Sequence, residues 1–136
     1  MMTNIASSSN FKIKDSYPTV QEKAIGNERD LRKALKRALQ DGPRVVILDS
    51  SDAGSLTIGI GTPYGFVQFV KKNNLPPYLV AIDESIEDVS FVEFDAGGTL
   101  TPVPRRNCLE FNTVIEIAEY FYKNKKLPEY INWEEV

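Results

Sequence analysis

Asp83, Glu84, Glu87, Asp88, Glu93 and Asp95 place six acids within thirteen residues, with no Lys or Arg among them. Such a run suits three kinds of chemistry. Several carboxylates can hold a hard cation, although the spacing is not that of a calcium loop. A pair, drawn from Asp83, Glu84 and Glu87, can share acid–base work as in glycoside hydrolysis. Or the acids can meet a basic surface on another protein and steer its approach. The plainest alternative is a solvated loop, since unpaired acids prefer water. The 136-residue chain contains no His and one Cys, Cys108. That excludes Ser-His-Asp and Cys-His nucleophile pairs, a Cys/His zinc site and an intramolecular disulfide. Carboxylate, Lys, Tyr and Ser/Thr chemistry remain. The expectation is a non-enzyme with no catalytic residue, no cofactor and no bound metal.

Charge narrows the class of partner. The net charge is −3, unlike the basic balance of a phosphate-backbone binder, so no direct nucleic-acid contact is expected. Residues 1–48 carry nine Lys/Arg and five Asp/Glu, a net of +4, and residues 49–136 carry seven and fourteen, a net of −7. No apolar run approaches the roughly 18 residues of a membrane span. Residues 1–10 have no basic start and no long apolar stretch, and are expected to be a flexible polar tail rather than a secretory signal. Residues 11–136 are expected to form one domain, since domains cluster at about 100–150 residues. A free thiol and no possible disulfide suit the cytoplasm.

Other candidates have plainer structural readings. Gly59, Gly61 and Gly65 lack the following helix that a phosphate loop needs, and fit strand and turn roles. Asp49 ends the run Val45–Leu48 and suits a strand end or turn. Arg29, Arg32, Lys33, Lys36 and Arg37 form the polar side of an amphipathic helix, and their simplest state is solvated. Cys108 lies next to cations but has no base beside it, and suits a small buried filler.

These residues must be positioned by recognisable elements. Phe11–Asp15 alternates like a half-buried strand, and Ser16-Tyr17-Pro18 breaks it. Asn27 caps a helix whose stripe is Leu31, Ala34, Leu35, Ala38 and Leu39, ended by Asp41-Gly42-Pro43. Val45–Leu48 is a strand apolar enough to be covered on both faces. Leu56–Ile60 and Phe66–Val70 follow as strands, with Thr62-Pro63-Tyr64-Gly65 turning between them. Lys71–Asn74 is an exposed corner, and Tyr78–Ile82 is either a strand or a covered extended segment. Val89–Phe94 is a strand turned by Asp95–Gly98, and Leu100–Leu109, with its two prolines, is irregular. A second helix begins near Asn112, ends at Asn124-Lys125-Lys126, and leads to a last extended segment at 130–135. Connections this short forbid parallel crossovers. The expected fold is α+β: a mainly antiparallel sheet of about five to six strands with two helices packed on it.

The C-terminal third carries a further pattern. It runs Glu93-Phe94-Asp95-Ala96-Gly97-Gly98, then Pro102-Val103-Pro104, then a helix ending Ile117-Ala118-Glu119-Tyr120-Phe121-Tyr122, then Leu127-Pro128-Glu129-Tyr130-Ile131-Asn132-Trp133-Glu134. Over about residues 89–136 this resembles the first-numbered immunity family of bacterial polymorphic toxin systems, which includes partners of nucleic-acid deaminase toxins. Two places depart from the family pattern. Lys125 stands where a turn Gly is common, and Leu127 where a basic residue commonly precedes the Pro. Either Asn124 or Lys125 must then adopt any left-handed conformation, which Asn tolerates better. Phe121, Tyr122, Pro128 and Trp133 are expected to be scaffold, docking the last segment on the helix and sheet. The resemblance implies a non-enzymatic inhibitor that binds a cognate toxin protein in the producing cell. The acids Asp83, Glu84, Glu87 and Asp88, beside the aromatic Tyr78, are the expected contact, occupying a basic active-site groove. The chain is expected to be a monomer or weak homodimer. A protein-binding module unrelated to toxins and a carboxylate-dependent hydrolase are the alternatives.

Overall fold

A computed structural model describes residues 11–15 and 21–136. The expected tail at 1–10 and the break at Ser16-Tyr17-Pro18 lie outside the described residues. Among the described residues, ten strands and two α-helices follow in the order β1 (Phe11–Asp15), β2 (Gln21–Ala24), α1 (Glu28–Leu39), β3 (Arg44–Ser50), β4 (Gly54–Ile60), β5 (Tyr64–Val70), β6 (Leu79–Ile82), β7 (Phe91–Ala96), β8 (Thr99–Pro104), β9 (Leu109–Glu110), α2 (Phe111–Asn124) and β10 (Asn132–Glu135). A 3-10 turn, Arg105–Asn107, joins β8 to β9.

The sheet runs β10-β6-β5-β4-β3-β1-β2, with the β7–β8 hairpin attached at β3 and β9 at β5. Its pairings are antiparallel except for a single parallel bridge, Arg44 to Asp95. The α+β class and the two helices are as expected, but ten strands replace the five to six. The additions are strands whose sequence hides them. β2 is wholly exposed, so it has no apolar alternation to reveal it. β8 contains Pro102 and Pro104 and pairs with β7 throughout. β9 is two residues long.

Both helices cover one face. Val46, Leu48, Leu56, Ile58, Ile60, Val67 and Ala81 meet Leu31 and Leu35 of α1 and Val114, Ile115, Ile117, Ala118 and Phe121 of α2 in one core. Asn27 caps α1 as its side chain predicts, its Oδ1 accepting from the Asp30 N–H at 2.8 Å. The basic side of α1 is not wholly solvated. Arg32 forms a fork with Glu119 of α2, at 2.9 Å from Nε and 2.8 Å from Nη2, which fixes one helix against the other.

Among the described residues, the opposite face is covered only at one end. There the hairpin contributes Val92, Phe94 and Val103 to a second cluster with Val45, Tyr64, Phe66 and Cys108. Val45 is therefore covered, but Ile47 is 37% exposed, and the expectation of cover on both faces along Val45–Leu48 fails. The second cluster depends on Gly59. A Cβ there would sit 2.1 Å from the Phe66 ring, because that ring lies across the bare backbone and meets Phe94 edge-on at 5.0 Å. Gly59→Val is expected to cost about 1–3 kcal/mol through overpacking. Denaturant titration checks this, and Phe66→Leu in the same chain should recover part of the loss.

Candidate functional site

The acidic run lies on a loop and hairpin at one end of the sheet. Asp83 follows the last residue of β6, and its N–H donates to the Arg106 carbonyl at 2.8 Å. At the other end of the loop the Ser90 carbonyl accepts from the Arg105 N–H at 2.9 Å. Both ends of the 83–90 loop are thus pinned to the same 3-10 turn. That turn is itself held from below, since the buried Asn107 donates through Nδ2 to the Ala81 carbonyl at 3.2 Å and to Glu134 Oε1 at 3.0 Å.

Within the loop the acids divide into two kinds. Asp83 Oδ1 accepts from the Ser85 hydroxyl at 2.6 Å and the Ser85 N–H at 3.0 Å. Asp88 Oδ1 accepts from the Ser90 N–H at 2.8 Å. These hydrogen bonds, from Ser85 and from Ser90, hold both carboxyls below the usual carboxylate range, because they favour the charged form. Glu84 and Glu87 are simply exposed. Among the described residues, none of the ion pairs uses any of the six acids.

Tyr78 is not beside them. It precedes β6 while Asp83 follows it, so about 16 Å of extended chain separates the two at roughly 3.3 Å per residue. The Tyr78 hydroxyl instead donates to the Asn74 carbonyl at 3.2 Å. The expected grouping of Tyr78 with the acids came from nearness in sequence, which a strand converts into distance.

An open depression of about 440 Å³ adjoins the loop, with Tyr64, Asp83, Arg105, Cys108, Glu110 and Thr113 in its lining. The Arg105 guanidinium lies 3.7 Å over the Tyr64 ring and donates from Nη1 to the Cys108 carbonyl at 2.8 Å. Of the acids proposed for acid–base work, Asp83 lines the depression and Glu84 and Glu87 do not. A general acid needs a raised pKa, whereas Asp83 is held down. Among the described residues no three Cys, Asp or Glu side chains gather as metal ligands.

The motif residues pack against the helix and sheet. Phe121 is fully buried and meets Phe11 and Phe69 edge-on at 5.7 and 5.9 Å. Tyr122 stacks obliquely on Phe11 at 4.9 Å. Trp133 pairs with Ala81 across β10 and β6, and its Nε1–H donates to the carbonyl of the buried Pro128 at 3.3 Å. After α2, Lys125 takes the left-handed conformation, with φ 58°, in place of the Asn124 that tolerates it better. Its N–H closes the helix on the Phe121 carbonyl and its Nζ reaches Asp52 at 2.8 Å.

Residues that the sequence reading did not single out also stand at this end. Val89 (90% exposed), Phe91 (61%) and Leu100 (63%) are large apolar side chains left in solvent. The available signal was the alternation of β7, which buries Phe94 and sends Phe91 and Glu93 the other way.

Cys108 is a filler. It is 1% exposed, its thiol faces the Pro104 carbonyl at 3.5 Å, and burial pushes its pKa up to about 11. Iodoacetamide at pH 8 is expected to leave it unmodified in the native protein and to alkylate it readily in denaturant, as mass spectrometry would show.

Among the described residues no helix is long and apolar enough to cross a membrane. No curated protein matches the chain. A family model does, the one described as Immunity protein Imm1, over residues 21–135. That span covers nearly all described elements, from β2 to the last strand with its Trp133. The chain therefore belongs to the Imm1 immunity protein family.

Proposed function

We propose that this protein binds a cognate toxin of a polymorphic toxin system in the cytoplasm of the producing cell and blocks it without catalysis. The observation that carries this reading is the membership in the immunity family together with an acidic loop that forms no salt bridge among the described residues. Enzymes that act on nucleic acid, deaminases and nucleases included, present basic grooves to the phosphate backbone. Carboxylates fixed at one end of a rigid sheet are suited to fill such a groove and exclude its substrate. Asp83 and Asp88 are pre-ordered by Ser85 and Ser90, so little loop freedom is lost on binding. Glu84 and Glu87 have no such bonds and supply long-range attraction.

The test is to purify the chain with the product of the adjacent toxin reading frame. A one-to-one complex and protection of cells expressing that toxin are expected. No complex at micromolar concentration and no protection would end the reading. Within the complex, Glu84→Gln/Glu87→Gln is expected to slow association roughly tenfold at low salt. Stopped-flow measurement checks this, with little change in the dissociation rate or melting temperature.

A further inference from the structure

The β7–β8 hairpin has two faces, and only one is used by the fold. Its inner side carries Val92, Phe94 and Val103 into the second cluster. The register pairs Phe91 with Pro104, Glu93 with Pro102, and Asp95 with Leu100. Directly opposed residues share a face, so these six line the outer side. Phe91 and Leu100 stand roughly 13 Å apart along it, both more than half exposed. Its only charges are Glu93 and Asp95.

The β8 edge of the hairpin is poorly suited to strand addition. Arg105 N–H donates inward to Ser90, so by antiparallel alternation the outward N–H positions of β8 are 100, 102 and 104. Two of these are Pro102 and Pro104, which have no N–H to offer. On that side a partner meets the hairpin by its side chains. A second copy is a poor occupant, since a two-fold contact brings the Glu93 and Asp95 of both copies into one interface with no cation from this face to pair them. A cationic protein surface with apolar recesses fits both features, because fully covered aromatic and aliphatic anchors dominate binding energy while rim charges steer.

We propose that the outer face of this hairpin is the main toxin-binding surface, with Phe91 and Leu100 as anchors seated in recesses of a basic toxin surface. This rests on the toxin-binding reading above and specifies its contact. The probe is the purified toxin domain from the adjacent reading frame, titrated by calorimetry against full-length protein. Phe91→Ala and Leu100→Ala are each expected to weaken Kd roughly 30-fold, while Leu75→Ala does not. Leu75 is similarly exposed, at 58%, but lies before β6, toward the far end of the sheet. Should Phe91→Ala lower the melting temperature, Leu100→Ala near the hairpin tip carries the test. Tight binding by wild type with both variants within about threefold of it overturns the proposal and leaves the toxin-binding reading standing. No binding by wild type removes both. A chain that is dimeric by light scattering and made monomeric by Phe91→Ala also overturns the proposal, because the face would then belong to a second copy.

Discussion

The contact between Phe66 and the bare backbone of Gly59 decides what the second face of this sheet can be. A side chain at position 59 would occupy the space of the ring. With the ring in that place, Phe94 meets it edge-on and brings the β7–β8 hairpin down on β3 through a single backbone bridge. Few backbone pairs link the hairpin to the main sheet, so side-chain packing carries its attachment. The hairpin inherits its position from that packing. The hairpin places Phe91 and Leu100 outward, and its root holds the 3-10 turn to which the acidic loop is pinned.

The two faces of the sheet are thus used differently. The helix-covered face is a continuous apolar core, locked further by the Arg32–Glu119 fork. Packing there needs little beyond apolar fit. The other end is built from hydrogen bonds to backbone groups: Asn107 to Ala81, Arg105 to Cys108, Asp83 to Ser85. Such bonds fix loops without apolar cover, leaving side chains free to face a partner. The acids are arranged by the fold without being neutralised by it.

Much of this was legible in the sequence. Asn27 with its leucine stripe, the three central strands, and the Phe121–Trp133 tail pattern all carry strong local signals, and each occupies the expected place. The losses have physical causes. β2 lacks a buried side, and prolines at 102 and 104 look like breakers unless their partner strand is known. Lys125 adopts a backbone conformation disfavoured for Lys, at a position where its ammonium also meets Asp52. For the candidate surface, the acids were visible as composition, but their grouping was not. Tyr78 and Asp83 stand at opposite ends of β6, a separation that nearness in sequence does not reveal. Phe91 and Leu100 were invisible as surface because apolar residues in a strand are expected to be inside, and only the hairpin register shows which side they take.

On the proposed reading, the end of the sheet bearing the acidic loop and hairpin meets the toxin. Hydrogen–deuterium exchange of the chain, free and in its toxin complex, tests this most directly. Slowed exchange is expected across the 84–104 region, with the exposed corner Lys71–Asn74 and the segment leading to Tyr78 unchanged. Protection confined to that corner, or to the basic side of α1, with 84–104 exchanging as in the free protein, would contradict it.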